Sequence, residues 1–161
     1  MDKKLNFDNL LFRKLSINDN DIFIELRMVY LNEEFQINDI GKIKIQENLS
    51  KYFSEHILKD DFIGMVCEYN GIIISVAFMT ISEKPPNPNF LNGKTGTLLN
   101  VYTFPEYRRN GIATKLLKEI ISEAKKLDIK TIDLEATDAG VNLYEKLGFT
   151  ESKYKSMSIN I

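Results

Sequence analysis

The chain is short of cysteine, of histidine and of surplus basic charge, and each shortage removes a class of function. Cys67 is the only cysteine in 161 residues, which excludes an internal disulfide and a cysteine-built metal cluster. His56 is the only histidine, so no multi-histidine metal site is expected. Basic side chains number 21 and acidic ones 23, a net charge of −2, whereas a general nucleic-acid binder carries a basic surplus. No apolar run approaches the roughly 20 residues that cross a bilayer. The opening MDKKLNFDNL has no apolar signal core. Neither nucleic acid nor membrane is therefore an expected partner, and a reduced cytoplasm is the expected location. Two phosphate-binding signatures are missing as well. There is no G-x-x-x-x-G-K and no G-x-G, which argues against a P-loop enzyme and a dinucleotide fold. What remains is 43% apolar and 27% charged, the make-up of one globular domain over residues 1–161.

The most informative stretch runs from Leu98 to Leu117. Leu98–Thr103 is apolar and reads as a buried strand. Phe104–Asn110 is a turn, with φ fixed at Pro105. From Gly111 onward, Ile112, Leu116, Leu117, Ile120, Ile121, Ala124 and Leu127 follow the spacing of one helix face. A strand, a glycine-bearing turn and a helix leave the first helical N–H groups unpaired and pointing at one place. The helix dipole favours an anion there, and phosphate is the usual occupant. Gly111 allows close approach because it has no Cβ, and Arg108 and Arg109 add cationic donors. A well-made strand–helix turn with no ligand is the plainer alternative.

This segment resembles the acyl-CoA motif of the GNAT acetyltransferase superfamily, R/Q-x-x-G-x-G/A, carried here by Arg108, Gly111 and Ala113. Downstream, Asn142-Leu143-Tyr144-Glu145-Lys146-Leu147-Gly148-Phe149 resembles the LYEKxGF signature of the same superfamily. The resemblance covers Leu98–Phe149 and fades before it. It implies an α/β (α+β) fold: a mixed, mostly antiparallel sheet, helices on both faces, and two parallel strands splayed at their C-terminal ends. It implies acetyl-CoA as co-substrate, with no metal. The pantetheine arm would pair with backbone near Val101, Tyr102 and Thr103. The pyrophosphate would lie on Arg108, Arg109, Asn110, Gly111, Ile112, Ala113 and Thr114, with Asn142 a further CoA contact. Tyr144 would donate to the CoA sulfur. Reference pKa values near 10 and 8.5 make a full transfer uphill by about 2 kcal/mol, so Tyr144 would act mainly by hydrogen-bonding the thiolate. Otherwise Tyr144 is an aromatic on a short amphipathic helix.

Elsewhere the chain reads as follows. Leu10–Leu15 is a first strand, and Asn18 caps a helix from about Asp19 to Glu34. A second helix runs from about Lys42 to Lys59, with His56 at the boundary of its apolar stripe. Phe62–Tyr69 and Ile72–Ser82 form a hairpin about Asn70-Gly71. Cys67, inside it, is a small buried hydrophobe rather than a nucleophile. Glu83–Thr97 is a long loop, either a lid or a surface excursion. Thr131–Ala136 is a strand parallel to Leu98–Thr103 through a right-handed crossover. Thr137 or Asp138 caps a short helix that ends near Leu147 with Gly148 beyond it. Lys155–Ile161 alternates as a last strand.

Histone-directed members of the superfamily carry a glutamate base where this chain has Thr97. That departure counts against a histone-type substrate and calls for an outside carboxylate or a water relay. Glu33 and Glu34, at the end of the first helix, are the candidates, since a carboxylate attracts an ammonium and can take its proton. Two solvated charges at a helix end are the alternative. The expected activity is acetyl-CoA-dependent N-acetylation of a primary amine on a small molecule. A non-catalytic acyl-CoA-binding module and a protein or peptide acetyltransferase are the alternatives. A homodimer is a further partnership open to it.

Overall fold

The computed structural model describes residues 5–161; the first four, part of the N-terminal segment read above, lie outside the described residues. β1 (Leu10–Lys14) leads to α1 (Asn20–Glu34) and α2 (Asp39–His56). β2 (Phe62–Tyr69), β3 (Ile72–Glu83) and β4 (Lys94–Thr103) follow, then α3 (Ile112–Lys126), β5 (Ile132–Asp133) and α4 (Val141–Lys146). The strands form one sheet in the order β1-β2-β3-β4-β5. Only β4 and β5 run parallel.

The sheet is covered on both faces. On one, Phe23 and Leu26 of α1 and Phe53 of α2 pack with Phe62, Val66, Val76 and Phe78. On the other, Leu116, Leu117 and Ile120 of α3 meet Ile63, Met65, Ile74 and Met79. A strand with two covered faces needs no polar side, which is why Phe62–Cys67 is buried at every position. Asn70 and Gly71 take φ of 51° and 79°, the left-handed pair that a two-residue hairpin demands.

α1 begins on a different device from the expected Asn18. Ser16 donates its N–H and its hydroxyl to Asp19 Oδ2, at 2.7 and 2.9 Å. Asp19 also receives both ends of the Arg13 guanidinium, at 2.8 and 2.9 Å. α2 starts earlier than its apolar stripe suggested because Asn38 Oδ1 accepts the Gly41 N–H at 2.8 Å and caps the helix. β3 and β4 pair out to Glu83 and Lys94, which shortens the expected loop to residues 84–93. At α4 the Thr137 carbonyl accepts from the Gly140 and Val141 N–H groups, at 2.8 and 3.2 Å. Neither Thr137 nor Asp138 supplies a side-chain cap.

Two expected strands need correction. Thr131–Ala136 pairs only at Ile132 and Asp133. Lys155–Ile161 joins no strand. Its apolar side chains are exposed, Met157 at 93% and Ile159 at 83%. Alternation there has no facing surface to bury it, and strand propensity without burial does not hold a strand.

Candidate active site

The site starts from how little β5 pairs. Among the described residues its partners are Gly96 and Thr97 alone, so from Leu98 to Thr103 the edge of β4 on that side has no described strand beside it. This is the splay that the family resemblance implies. Beyond that edge the chain turns through residues 104–111 into α3. Gly111 precedes that helix with φ of 74°, and a Cβ on it would meet nothing within 4 Å. The first helical bond runs from the Lys115 N–H to the Gly111 carbonyl, 3.1 Å. The N–H groups of Ile112, Ala113 and Thr114 therefore precede any acceptor in their own helix. No side chain caps this terminus and no acidic residue sits in its first turn. Unclaimed donors, open space and the positive end of a dipole fit a pyrophosphate.

The two arginines at the turn are placed differently. Arg109 is exposed, with φ of 63°. Arg108 folds back: its Nε–H donates to the Thr103 carbonyl at 2.8 Å, and its guanidinium lies 5.4 Å from the centre of the Tyr102 ring. Its Nη2 is 3.7 Å from Glu33 Oε2. Asn110 donates its side-chain amide to the Tyr107 and Arg108 carbonyls, at 3.1 and 3.0 Å, and so closes the turn.

Tyr144 is fixed by the end of its own helix. Gly148, with φ of 93°, donates to the Glu145 carbonyl at 3.0 Å, and Phe149 donates to the Tyr144 carbonyl at 3.1 Å. That bond pair is a Schellman ending, which brings the residue after the glycine against the third from last of the helix. Here the two are Phe149 and Tyr144, edge to face with centroids 5.9 Å apart. A Cβ on Gly140 would lie 2.9 Å from the Tyr144 ring, so that glycine makes room for the phenol. Burial raises the Tyr144 pKa above its ordinary value, with Tyr30 nearby adding to the rise. The phenol therefore stays protonated and able to donate. Asn142, on the same helix, is exposed.

On the α1 side, Glu33 and Tyr102 meet. The Tyr102 hydroxyl donates to Glu33 Oε1 at 2.8 Å, so the Tyr102 side chain belongs to the α1 face rather than to the open edge. Glu34 is exposed and has no hydrogen bond or ion pair to a described side chain. Two residues outside the expected set complete this wall. Asn100 is buried, with φ of 50°. Its Oδ1 accepts from Arg27 Nη1 at 3.1 Å. Asn is depleted in strands and tolerates left-handed backbone, so an Asn inside the apolar run Leu98–Thr103 is the sequence signal for this feature. Arg27 carries a signal too, since it sits one turn from Phe23 and Tyr30 on the apolar stripe of α1.

His56 and Cys67 lie apart from this wall. His56 Nδ1 is 2.9 Å from Asp61 Oδ2, and its ring stacks on Tyr52. It ends α2 just before β2, at the sheet end opposite the start of α3. Cys67 is fully buried, and burial pushes its thiol up to about 11, which suits packing rather than nucleophilic attack.

These features define a chain of the GNAT acetyltransferase family, and the chain belongs to it: the family model described as Acetyltransferase (GNAT) family matches residues 32–149. The reaction class follows, that of an N-acetyltransferase. The N-alpha-acetyltransferase of Sulfurisphaera tokodaii is 28% identical over 137 residues, 80% of this chain and 81% of that protein. The [ribosomal protein bS18]-alanine N-acetyltransferase of Escherichia coli is 39% identical over 59 residues, 35% of this chain and 40% of that protein. The crystal structure of a predicted acetyltransferase from Clostridium acetobutylicum with acetyl-CoA shares the fold at a TM-score of 0.85. It is 29% identical, and the match covers 94% of this chain and 96% of that one.

Proposed function

We propose that this protein transfers the acetyl group of acetyl-CoA to a primary amine of a small molecule. The observation that carries the reading is the unpaired β4 edge, Leu98–Thr103, ending at the uncapped start of α3. An extended amide-bearing arm fits the first and a pyrophosphate fits the second. Val101, Tyr102 and Thr103 offer backbone to the arm; Gly111, Ile112, Ala113 and Thr114 offer N–H groups to the phosphates. Arg109 and Asn142 are exposed, and in this reading they contact the nucleotide end.

In the reaction the neutral amine nitrogen attacks the thioester carbonyl carbon. The new C–N bond forms as the C–S bond breaks. The negative charge on the carbonyl oxygen is met by backbone N–H groups of β4. The sulfur leaves as a thiolate that accepts the Tyr144 hydroxyl hydrogen bond. The proton lost by the amine passes to Glu33 or Glu34, directly or through water. A second acceptor, the α-amine of a polypeptide, is favoured by the names of the Sulfurisphaera tokodaii and Escherichia coli relatives.

The test is turnover of acetyl-CoA against a panel holding small amines and peptides with free N-termini, for wild type and Tyr144→Phe. Tyr144→Phe is expected to lower kcat by on the order of 100-fold with a smaller change in KM for acetyl-CoA, since the hydroxyl acts on charge present in the transition state. Equal turnover in both proteins would make Tyr144 a packing residue. Acetyl-CoA binding with no turnover of any amine would favour a non-catalytic module.

A further inference from the structure

β4 carries one residue more than its partner. Val76 stands opposite Tyr102 and Phe78 opposite Leu99, so Ala77 faces both Asn100 and Val101. This is a β-bulge, and it changes which way every later side chain points. Before it, Leu98 packs on the α3 face and Leu99 on the α1 face. After it, Val101 packs on the α3 face and Tyr102 on the α1 face. Strict alternation would have turned Tyr102 to the α3 side, away from Glu33. The bulge also interrupts the pairing to β3 in the middle of the open edge, where the thioester would lie.

The bulge depends on Asn100 holding a positive φ, a conformation that a residue with a Cβ adopts only at a cost. Its side chain is held by Arg27. That arginine is half-buried between the rings of Tyr30 and Phe78, 5.5 and 5.7 Å from their centres. Arg13 and Arg108 each face carboxylates; among the described residues Arg27 has none within ion-pair reach. A half-buried guanidinium without a counter-ion is costly to keep, and an apolar side chain would fill the space between two rings. What the guanidinium provides that an apolar group cannot is the bond to Asn100 Oδ1.

We propose that Arg27 is a positioning residue that pins Asn100 in its left-handed conformation and so fixes the β4 bulge at the reacting carbonyl. The role rests on the acetyltransferase reading above. Arg27 acts through Asn100 and the backbone, with no contact to substrate required of it.

The test is a double-mutant cycle, since glycine takes a positive φ without help from any neighbour. Arg27→Met is expected to lower kcat by about tenfold or more, with little change in KM for acetyl-CoA, because the pyrophosphate grip at Gly111–Thr114 is separate. In the Asn100→Gly background the same Arg27→Met change is expected to cost less than about twofold. Equal losses in both backgrounds, or no loss in either, would overturn the proposal. Melting temperatures of the same four proteins give a readout that needs no turnover: Arg27→Met should lower Tm less in the Asn100→Gly background. If wild type acetylates nothing in the panel, the functional reading fails while this coupling is still measured. Should Arg27→Met not fold, Arg27→Lys carries the test, since one ammonium can keep the bond to Asn100. It should retain most of kcat, and a folded Arg27→Lys protein with the full loss would refute the assignment.

Discussion

Glu33 and Glu34 are neighbours in sequence with different surroundings. Glu33 accepts from the Tyr102 hydroxyl and lies 3.7 Å from Arg108; Glu34 faces solvent. Of the two, only Glu33 is tied to β4, so in the proposed reaction only Glu33 would have a fixed place relative to a bound thioester. Glu33→Gln is expected to lower kcat/KM for the amine by about tenfold while acetyl-CoA binding stays as it was. Glu34→Gln should change kcat/KM by less than about twofold, the behaviour of a solvated helix end. Initial rates with the amine varied, and calorimetry with acetyl-CoA, check both. A larger effect from Glu34→Gln would reverse the roles. Sequence could bring these two carboxylates forward but could not rank them, because the partner of Glu33 sits 69 positions away. Arg108 shows the same limit. Its place in a motif suggests phosphate, and its side chain folds onto Tyr102 and Glu33.

Among the elements, the start of α3 was the most legible. A glycine and a 3.6-residue apolar period sit together in sequence, and both appear in the structure. Gly111→Val places a branched Cβ where φ is positive and where a phosphate would sit. Affinity for CoA should fall by about tenfold or more, with circular dichroism unchanged. Calorimetric titration showing equal affinity in both forms would remove the phosphate site. The β2–β3 hairpin was equally plain, since Asn70-Gly71 admits few other turns. The ends of the sheet were not. Thr131–Ala136 and Lys155–Ile161 carry similar alternation, and the first pairs at Ile132–Asp133 while the second does not pair. What separates them is whether a strand edge lies within reach, and no local pattern contains that. The bulge at Asn100 was hidden for a related reason: its signal is a single polar residue, and its consequence lies in the register of a neighbouring strand.

At the scale of the whole molecule, β1, α1 and β2 are fastened at one point. Arg13 binds Asp19 through two nitrogens and Glu68 Oε1 through Nε at 2.6 Å. The Arg13 hydrogen bonds, with those from Ser16, pull the Asp19 carboxyl down to about 2. A pKa lower in the folded than in the unfolded chain adds stability above the unfolded value, near 3.9, and that stability is lost as pH falls toward the folded value. The contribution at neutral pH is about 2 kcal/mol. Urea unfolding should therefore find Asp19→Asn less stable than wild type by about 2 kcal/mol at pH 7, and by under about 1 kcal/mol near pH 2. A gap that does not depend on pH would assign the loss to packing.

The Schellman ending of α4 bears on the order of events when the protein is made and when it fails. Six residues, Val141–Lys146, are far too few to nucleate a stable helix in water. The phenol of Tyr144 is therefore in place only after Phe149 has docked on it and the rest of the molecule has supplied a surface. The proposed hydrogen-bond donor to the thiolate thus rides on a helix that holds only through its packing on the core, and a segment of that kind is expected to open before the sheet does. An incompletely folded chain could hold its sheet and still be chemically silent, and on warming, acetyl transfer would stop while most of the protein was still standing.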